Sequence, residues 1–433
     1  MADLKIAIIG AGSFVFGPSL LRQAIIDNRM DHVELALVDT DSTMCALMVD
    51  VGKQMARQAG VSVTFSVHTE RQAALTGAQF VVCMAARQLF ARFATDGEIV
   101  ARYAPGHLLS EFGGVAGISY SLRQMALISE IAGDMLRYCP DAWLLNVSNP
   151  LPRVCQAAHQ LGIKTVGFCT VSIQVYDMVG RILGEPADQY PFERGRSQWS
   201  IMTAGLNHFA WLLSLQSRAT GEDLTTQVTE RIEQGASYGN PVSESLARET
   251  GYMLVPHDDH TKDFLRPSAA THSREEPSHG SPDERLRRLD LLADVGQGRQ
   301  PIDVLLAQLA WERPMDLIAA LVGGHPAEFH SLNLVNEGQI ENLPRGVFVE
   351  TPATADSEGI HPRQVTLPPT ILALCQRTAL VTDTIVRAWE QRSRAILHQA
   401  VELDPTITDK SAGMIAIDAC LQAHADILPA FGR

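Results

Sequence analysis

Residues 6–14 read Ile-Ala-Ile-Ile-Gly-Ala-Gly-Ser-Phe, an apolar run that stops on two closely spaced glycines. A second apolar run, Val33–Val38, closes on Asp39, about 27 residues after Gly12. Strand, glycine turn, helix, strand and acid in that order form the layout of a dinucleotide-binding βαβ unit. Gly10 and Gly12 let the backbone approach a pyrophosphate. Ser13 and Phe14 open the helix, whose N-terminus supplies N–H donors and a positive dipole end. Asp39 receives the adenosine ribose hydroxyls. The third glycine of the usual pattern is displaced to Gly17. An NAD site at the head of the chain is the expectation.

Composition suits a large globular enzyme. The 433 residues are 46% hydrophobic and 19% charged, enough for two lobes sharing a core. A net charge of −14 argues against a nucleic-acid footprint, although a local group of arginines can still bind an anion. The seven cysteines, at 45, 83, 139, 155, 169, 375 and 420, are odd in number and lack zinc spacing. They read as reduced thiols of a cytoplasmic protein. No signal peptide and no 18-residue apolar span is evident, so no membrane partner is expected.

Strand and helix patterns alternate through the first 170 residues. Strands are expected at Lys5–Ile9, Val33–Val38, Val61–Ser66, Gln79–Met84, Trp143–Asn146 and Thr165–Phe168, mostly as continuous apolar runs covered on both faces. Helical spacing occupies Pro18–Ile26, Ser42–Ala59 and Tyr120–Tyr138. This is an α/β protein, a Rossmann-type doubly wound parallel sheet. From about Gln198 two strands, Trp199–Gly205 and Trp211–Gln216, precede a region expected to be dominated by helices, notably Val304–Leu321, Pro369–Ala400 and Ser411–Ala423. The expected division is an NAD-binding domain at 1–197 and a largely helical α+β domain for substrate and metal at 198–433. Arg266–Glu284, rich in Pro, Ser, Gly, His and charge, reads as an exposed loop that can serve as a lid.

Three constellations sit at expected strand ends, where open α/β sheets bind their ligands: Asn146-Val-Ser-Asn149-Pro150, Gly167-Phe-Cys169 and Gly205-Leu-Asn207-His208. A thiolate and an imidazole brought to one crevice suit a divalent transition metal. A lone buried Cys or a hydrogen-bonded turn His is the ordinary reading of either residue, and only the joint occurrence gives them weight.

With these motifs in hand, the chain resembles glycoside hydrolase family 4, whose fold is that of the lactate and malate dehydrogenases. The resemblance runs nearly end to end. It includes Gly10-Ala-Gly-Ser13, Val38-Asp39, Arg92 with Asp96 and Glu98, Glu111 through Gly113–Gly117 to Leu122-Arg123, and the three strand-end motifs. Asn333-Leu-Val-Asn336-Glu-Gly338 followed by Asn342-Leu-Pro344 resembles the family's C-terminal block.

The resemblance implies an NAD-dependent glycosidase outside the two-carboxylate scheme. NAD⁺ takes hydride from sugar C3, a base removes the acidified C2 proton, the C1 substituent is eliminated, water adds, and the hydride returns. The family's metal, usually manganese, stabilises the enolate. Matching positions make Cys169 and His208 its ligands, Asn149 a contact to substrate oxygens or the metal, Glu111 a substrate contact and Asn146 a cofactor contact. In much of the family the residue after the metal-binding cysteine is His, Asp or Asn. Here it is Thr170, which is no general acid at neutral pH. That departure weakens carry-over of a 6-phosphoglucosidase or ordinary α-glucosidase assignment. The chain also resembles the sister family 188, NAD-dependent sulfoquinovosidases that use the same C3 redox cycle on sulfonated glucosides.

The base is expected within Tyr252–Phe264, with Asp259 and His260 first and Asp258 and Tyr252 behind them. An anionic substrate group would need a cation from among Arg87, Arg92, Arg153, Lys262 and Arg266. Alternatives are a family 4 α-glycosidase for a glucoside, galactoside or uronide, a 2-hydroxy acid dehydrogenase, and a non-catalytic NAD-binding protein. The dehydrogenase should carry a Gly-His-Gly-like strand end, which is absent. The resemblance also implies a homodimer or tetramer.

Overall fold

The computed structural model describes residues 4–169, 171–185, 197–266, 282–306 and 312–432. Their strands are β1 (Leu4–Ile9), β2 (Val33–Val38), β3 (Val63–His68), β4 (Phe80–Cys83), β5 (Trp143–Asn146) and β6 (Lys164–Gly167), then β7 (Trp199–Leu206), β8 (Phe209–Ser217), β9 (Leu254–Val255), β10 (Ala327–Val335), β11 (Phe348–Asp356) and β12 (Gly359–Pro362). All join one twelve-stranded sheet in the order β3-β2-β1-β4-β5-β6-β10-β11-β7-β8-β9, with β12 beside β11. The first six are parallel; beyond β6 every pairing is antiparallel. The 3-2-1-4-5-6 half is the dinucleotide-binding order.

One row of paired residues crosses the sheet from edge to edge. It runs His68, Val38, Ile9, Cys83, Asn146 and Gly167 through the parallel half. It continues through Asn333, Glu350, Gly205, Ala210 and Val255 in the antiparallel half. The glycine turn, Asp39 and the three strand-end motifs lie on this row or within a few residues of it. The sheet thereby turns residues hundreds of positions apart into neighbours.

Several sequence expectations need correction. The third strand starts two residues later than its apolar run, at Val63, because pairing with β2 fixes its register. Helix Val304–Leu321 is not continuous: Asp303–Leu306 is one piece, and Pro314 opens another at Pro314–Leu321, where a missing N–H costs nothing. Helix Pro369–Ala400 breaks at Arg392, which is left-handed (φ 49°), and Ser393 caps a new helix from Arg394. The second half is largely helical, as expected, but β10, β11 and β12, which complete the sheet, were not expected. β10 and β11 lie against helices Leu151–Gln160 and Pro314–Leu321, so no clean alternation runs their length. Of the proposed lid, residues 267–281 lie outside the described residues, and Thr170 does as well.

The core is shared across the chain. Helix Gly114–Tyr138, with 18 buried residues among its 25, packs in one cluster with Val381, Ile385, Leu397 and Ile417 from the last helices and with Leu428 beyond them. Among the described residues no helix is long and apolar enough to cross a membrane.

Candidate active site

The cofactor turn is built as its residues dictate. Gly10 has φ +85°, and a Cβ there would lie 3.0 Å from the Ala85 backbone, so only glycine fits. The Gly12 N–H donates to Asp39 Oδ2 at 2.9 Å, and the Asp41 N–H donates to Oδ1 at 3.1 Å. The glycine turn therefore aims the acid. Gly17 takes the close-packing role of the displaced third glycine, since a Cβ there would meet Ala11 O and Met48 Sδ at 3.0 Å. Phe14 is half-buried against the adjoining core. Asn146 does not face the crevice: it is fully buried, and its amide holds Ser148 O at 2.9 Å and Cys155 Sγ at 3.5 Å. It shapes the turn that presents Asn149.

Cys169, two residues past Gly167, meets His208, three past Gly205, with Sγ and Nε2 3.1 Å apart. His208 is left-handed (φ 61°), a strained conformation for a non-glycine residue and one often found at functional sites. Its ring lies between Phe112 (centroids 4.3 Å) and His260 (4.4 Å, edge-on). Burial, with His260 adding to it, holds the His208 imidazole well below its usual range, hence neutral. Burial pushes the Cys169 thiol up.

This pair fits a divalent cation. Two ligands at about 2.3 Å (sulfur) and about 2.1 Å (nitrogen), set near a right angle, lie roughly 3.1 Å apart. Among the described residues no third His, Cys, Asp or Glu joins them, so the remaining positions would fall to amide or ligand oxygens. Asn149 Oδ1 is buried without a hydrogen-bond partner, while its Nδ2 donates to Glu111 Oε2 at 3.2 Å. Burial raises the Glu111 carboxyl above its ordinary value.

Binding a cation here must expel the thiol proton, while the imidazole is already neutral. Apparent Mn²⁺ affinity is therefore expected to rise about tenfold per pH unit across pH 6–8, one proton released rather than two. Calorimetric titrations at several pH values measure that slope; a flat profile would contradict the thiol's part.

Beneath the pair lies a group the sequence did not reveal. Glu350, fully buried on β11, accepts from Asn207 Nδ2 at 3.1 Å and Asn333 Nδ2 at 3.4 Å. Burial raises its carboxyl. Its only sequence signal is an acid inside the apolar stretch Phe348-Val-Glu-Thr.

The expected proton-transfer segment follows β9. His260 reaches the His208 ring, whereas Asp259 is exposed and accepts from the His260 N–H at 3.1 Å. Asp258 instead caps helix Pro241–Thr250, accepting from the Val242 and Ser243 N–H groups. The Tyr252 ring packs in the apolar cluster of Leu254 and Phe264. A Cβ at Gly113 would sit 2.4 Å from Asp263 O, so glycine there lets this segment dock against Phe112.

Of the five candidate cations, Arg87, Arg92, Arg153 and Lys262 all have partners within the protein. Arg87 pairs with Glu130 at 2.7 Å and Arg92 with Asp426 at 2.5 Å. Arg153 is buried and donates to Ser121 Oγ and Gly117 O; burial lowers it to about 10. Lys262 is 5% exposed, and Arg266 is exposed.

Known proteins resemble the chain over nearly its whole length. Residues 5–185 match the family described as Family 4 glycosyl hydrolase, and residues 203–407 its C-terminal domain. The chain is 28% identical to an α-galactosidase of Bacillus subtilis strain 168 over 99% of both chains. It is 26% identical to a maltose-6'-phosphate glucosidase of the same organism, over 99% of this chain and 97% of that one. A crystal structure of a 6-phospho-α-glucosidase from gut microorganisms, in complex with NAD and Mn²⁺, superposes with TM-score 0.78 at 20% identity, covering 99% of this chain and all of that one. A strand-end Cys–His pair beside a dinucleotide turn, with both family domains matched in order, makes this chain a family 4 glycosyl hydrolase.

Proposed function

We propose that the chain cleaves a glycosidic bond by transient oxidation at sugar C3, with NAD⁺ as a recycled cofactor and a divalent metal, manganese first, at Cys169 and His208. The observation that carries this is the single sheet row, which aligns the Gly10–Asp39 turn with the 3.1 Å Cys169–His208 pair. When bound, NAD⁺ supplies a hydride acceptor and donor for C3, and the cation supplies Lewis acidity at the C2 and C3 oxygens.

The protein's own groups do the rest. Cys169 and His208 hold the cation, and Glu350 fixes Asn207 beneath them. Asn149, steadied by Glu111, presents its free oxygen to the sugar hydroxyls. His260, against the His208 ring and next to Asp259, takes the C2 proton. Phe112 covers the far face of His208 and keeps water from it. No two-carboxylate hydrolysis is required.

The substrate we assign is a hexoside with an anion on C6, a sulfoquinovoside first. Support comes from Lys262 and Arg266, two cationic side chains that follow His260 within six residues. A relative named for a sugar 6'-phosphate fits that chemistry, while the α-galactosidase relative favours a neutral galactoside as the second reading.

A panel of sulfonated, phosphorylated, uronic and neutral aryl glycosides, each with trace NAD⁺, tests both levels. Many products per cofactor without accumulating NADH are expected, with the sulfonated sugar giving the highest kcat/KM. One NADH per product would replace the proposal with a simple dehydrogenase. A neutral sugar preferred over every anionic one would remove the substrate assignment alone.

A further inference from the structure

The antiparallel ladder between β10 and β11 is interrupted beside the site. Phe329 pairs with Ala353 and Leu332 with Thr351, so two residues, His330 and Ser331, stand opposite Pro352. Proline has no N–H to give the ladder, and an extra residue on the partner strand accommodates the gap as a bulge. The bulge re-aims both side chains. Ser331 Oγ meets Ser172 Oγ at 3.2 Å, and Ser172 lies in the 3₁₀ turn Val171–Gln174 that leaves Cys169. His330 Nε2 meets Thr203 Oγ1 at 3.1 Å, and Thr203 lies on β7, five residues before His208. Ser172, Ser331 and Thr203 are all buried, and the Tyr176 ring meets the His330 ring edge-on at 5.5 Å.

We infer that His330 and Ser331 are positioning residues: the Pro352 bulge ties together the two arms that carry Cys169 and His208 and so sets their separation for a metal ion. The inference rests on the proposal that this pair holds a metal. Neighbouring groups that orient ligands are commonly worth 10- to 100-fold in metal affinity, about the scale expected here. Neither side chain touches the pair. Ser172 and Ser331 also hydrogen-bond the Glu350 carboxyl, so the action runs through the two arms and through that carboxyl.

Cobalt(II) is a suitable probe, because a thiolate ligand gives it an ultraviolet charge-transfer absorbance that needs no turnover. Metal-free full-length protein is titrated with Co²⁺. Wild type is expected to show the absorbance, and Cys169→Ser to lose it. Absence of the absorbance in wild type would overturn the metal assignment and this inference with it. Given the absorbance, Ser331→Ala and His330→Leu should each weaken Co²⁺ binding by roughly 10- to 100-fold, with the thermal midpoint held within about 3 °C. His330→Gln and Ser331→Thr, which keep a hydrogen-bonding atom, should recover most of the affinity. Wild-type affinity in Ser331→Ala and His330→Leu would overturn the inference while leaving the metal assignment standing. A loss that follows the thermal midpoint and is not recovered by Gln or Thr would overturn it too, by making the bulge merely structural.

Discussion

Cys169→Ala is expected to lower kcat on any accepted glycoside by about 10³-fold, ~4 kcal/mol of transition-state stabilisation, while NAD⁺ binding stays within about twofold. The asymmetry follows from the sheet. Gly10, Gly12 and Asp39 stand at the β1 and β2 ends, and Cys169 stands beyond β6. Removing the sulfur leaves a single neutral imidazole and no compensating acid among the described residues, so a cation has little to hold it. Single-turnover and steady-state rates, read beside calorimetric NAD⁺ titration, separate the two effects. Activity within tenfold of wild type would place the chemistry away from this pair.

Arg123→Ala is expected to cost about 3–5 kcal/mol of folding stability, because it strands a buried carboxylate. Asp96 is fully buried on helix Leu89–Tyr103. It receives Arg123 Nη1 at 2.6 Å, Ser119 Oγ at 2.8 Å and the His424 ring at 2.9 Å. This knot joins three helices, one of which begins at Gly114, three residues after Glu111. Chemical denaturation of the variant measures the cost. Arg92→Ala serves as the comparison. Its partner Asp426 is 59% exposed, so solvent screening should keep that loss below about 1 kcal/mol. The double variant Asp96→Ala, Arg123→Met should lose less than the stranded single variant, because no charge is left behind. Equal losses from Arg123→Ala and Arg92→Ala would show that burial does not govern this network.

The cofactor half was legible because its signals are local. Gly10, Gly12 and the acid after Val33–Val38 occupy one short βαβ unit, and parallel strands buried on both faces announce themselves as apolar runs. Cys169 and His208 were legible as strand-end residues, although their 3.1 Å approach depends on two strands, β10 and β11, that the sequence pattern hid. Ala327–Val335 carries Phe329 and Leu332 at odd spacing because the bulge shifts the face each residue takes. Periodicity fails where the backbone is irregular, and here the irregularity flanks the site.

Partnerships across long separations were not legible at all. Arg92 was read as a substrate contact because it sits in a matched motif, yet its guanidinium meets Asp426, 334 residues away. The resemblance makes Asn146 a cofactor contact, whereas its side chain turns inward to Ser148 O, just before Asn149. Glu350 escaped notice because an acid in a strand normally faces water. Asn207 from the turn between β7 and β8, Asn333 from β10, and the hydroxyls of Ser172 and Ser331 converge on it and offset its burial.

A borrowed hydride makes the neighbouring carbon acidic, and that carbon's proton is what the whole arrangement around His260 is asked to move. Running the reaction in D₂O and reading the released sugar by NMR tests this most directly. Deuterium at C2 is the predicted result. Sugar released with hydrogen alone at C2 would contradict deprotonation there, and with it the oxidation at C3 that makes deprotonation possible.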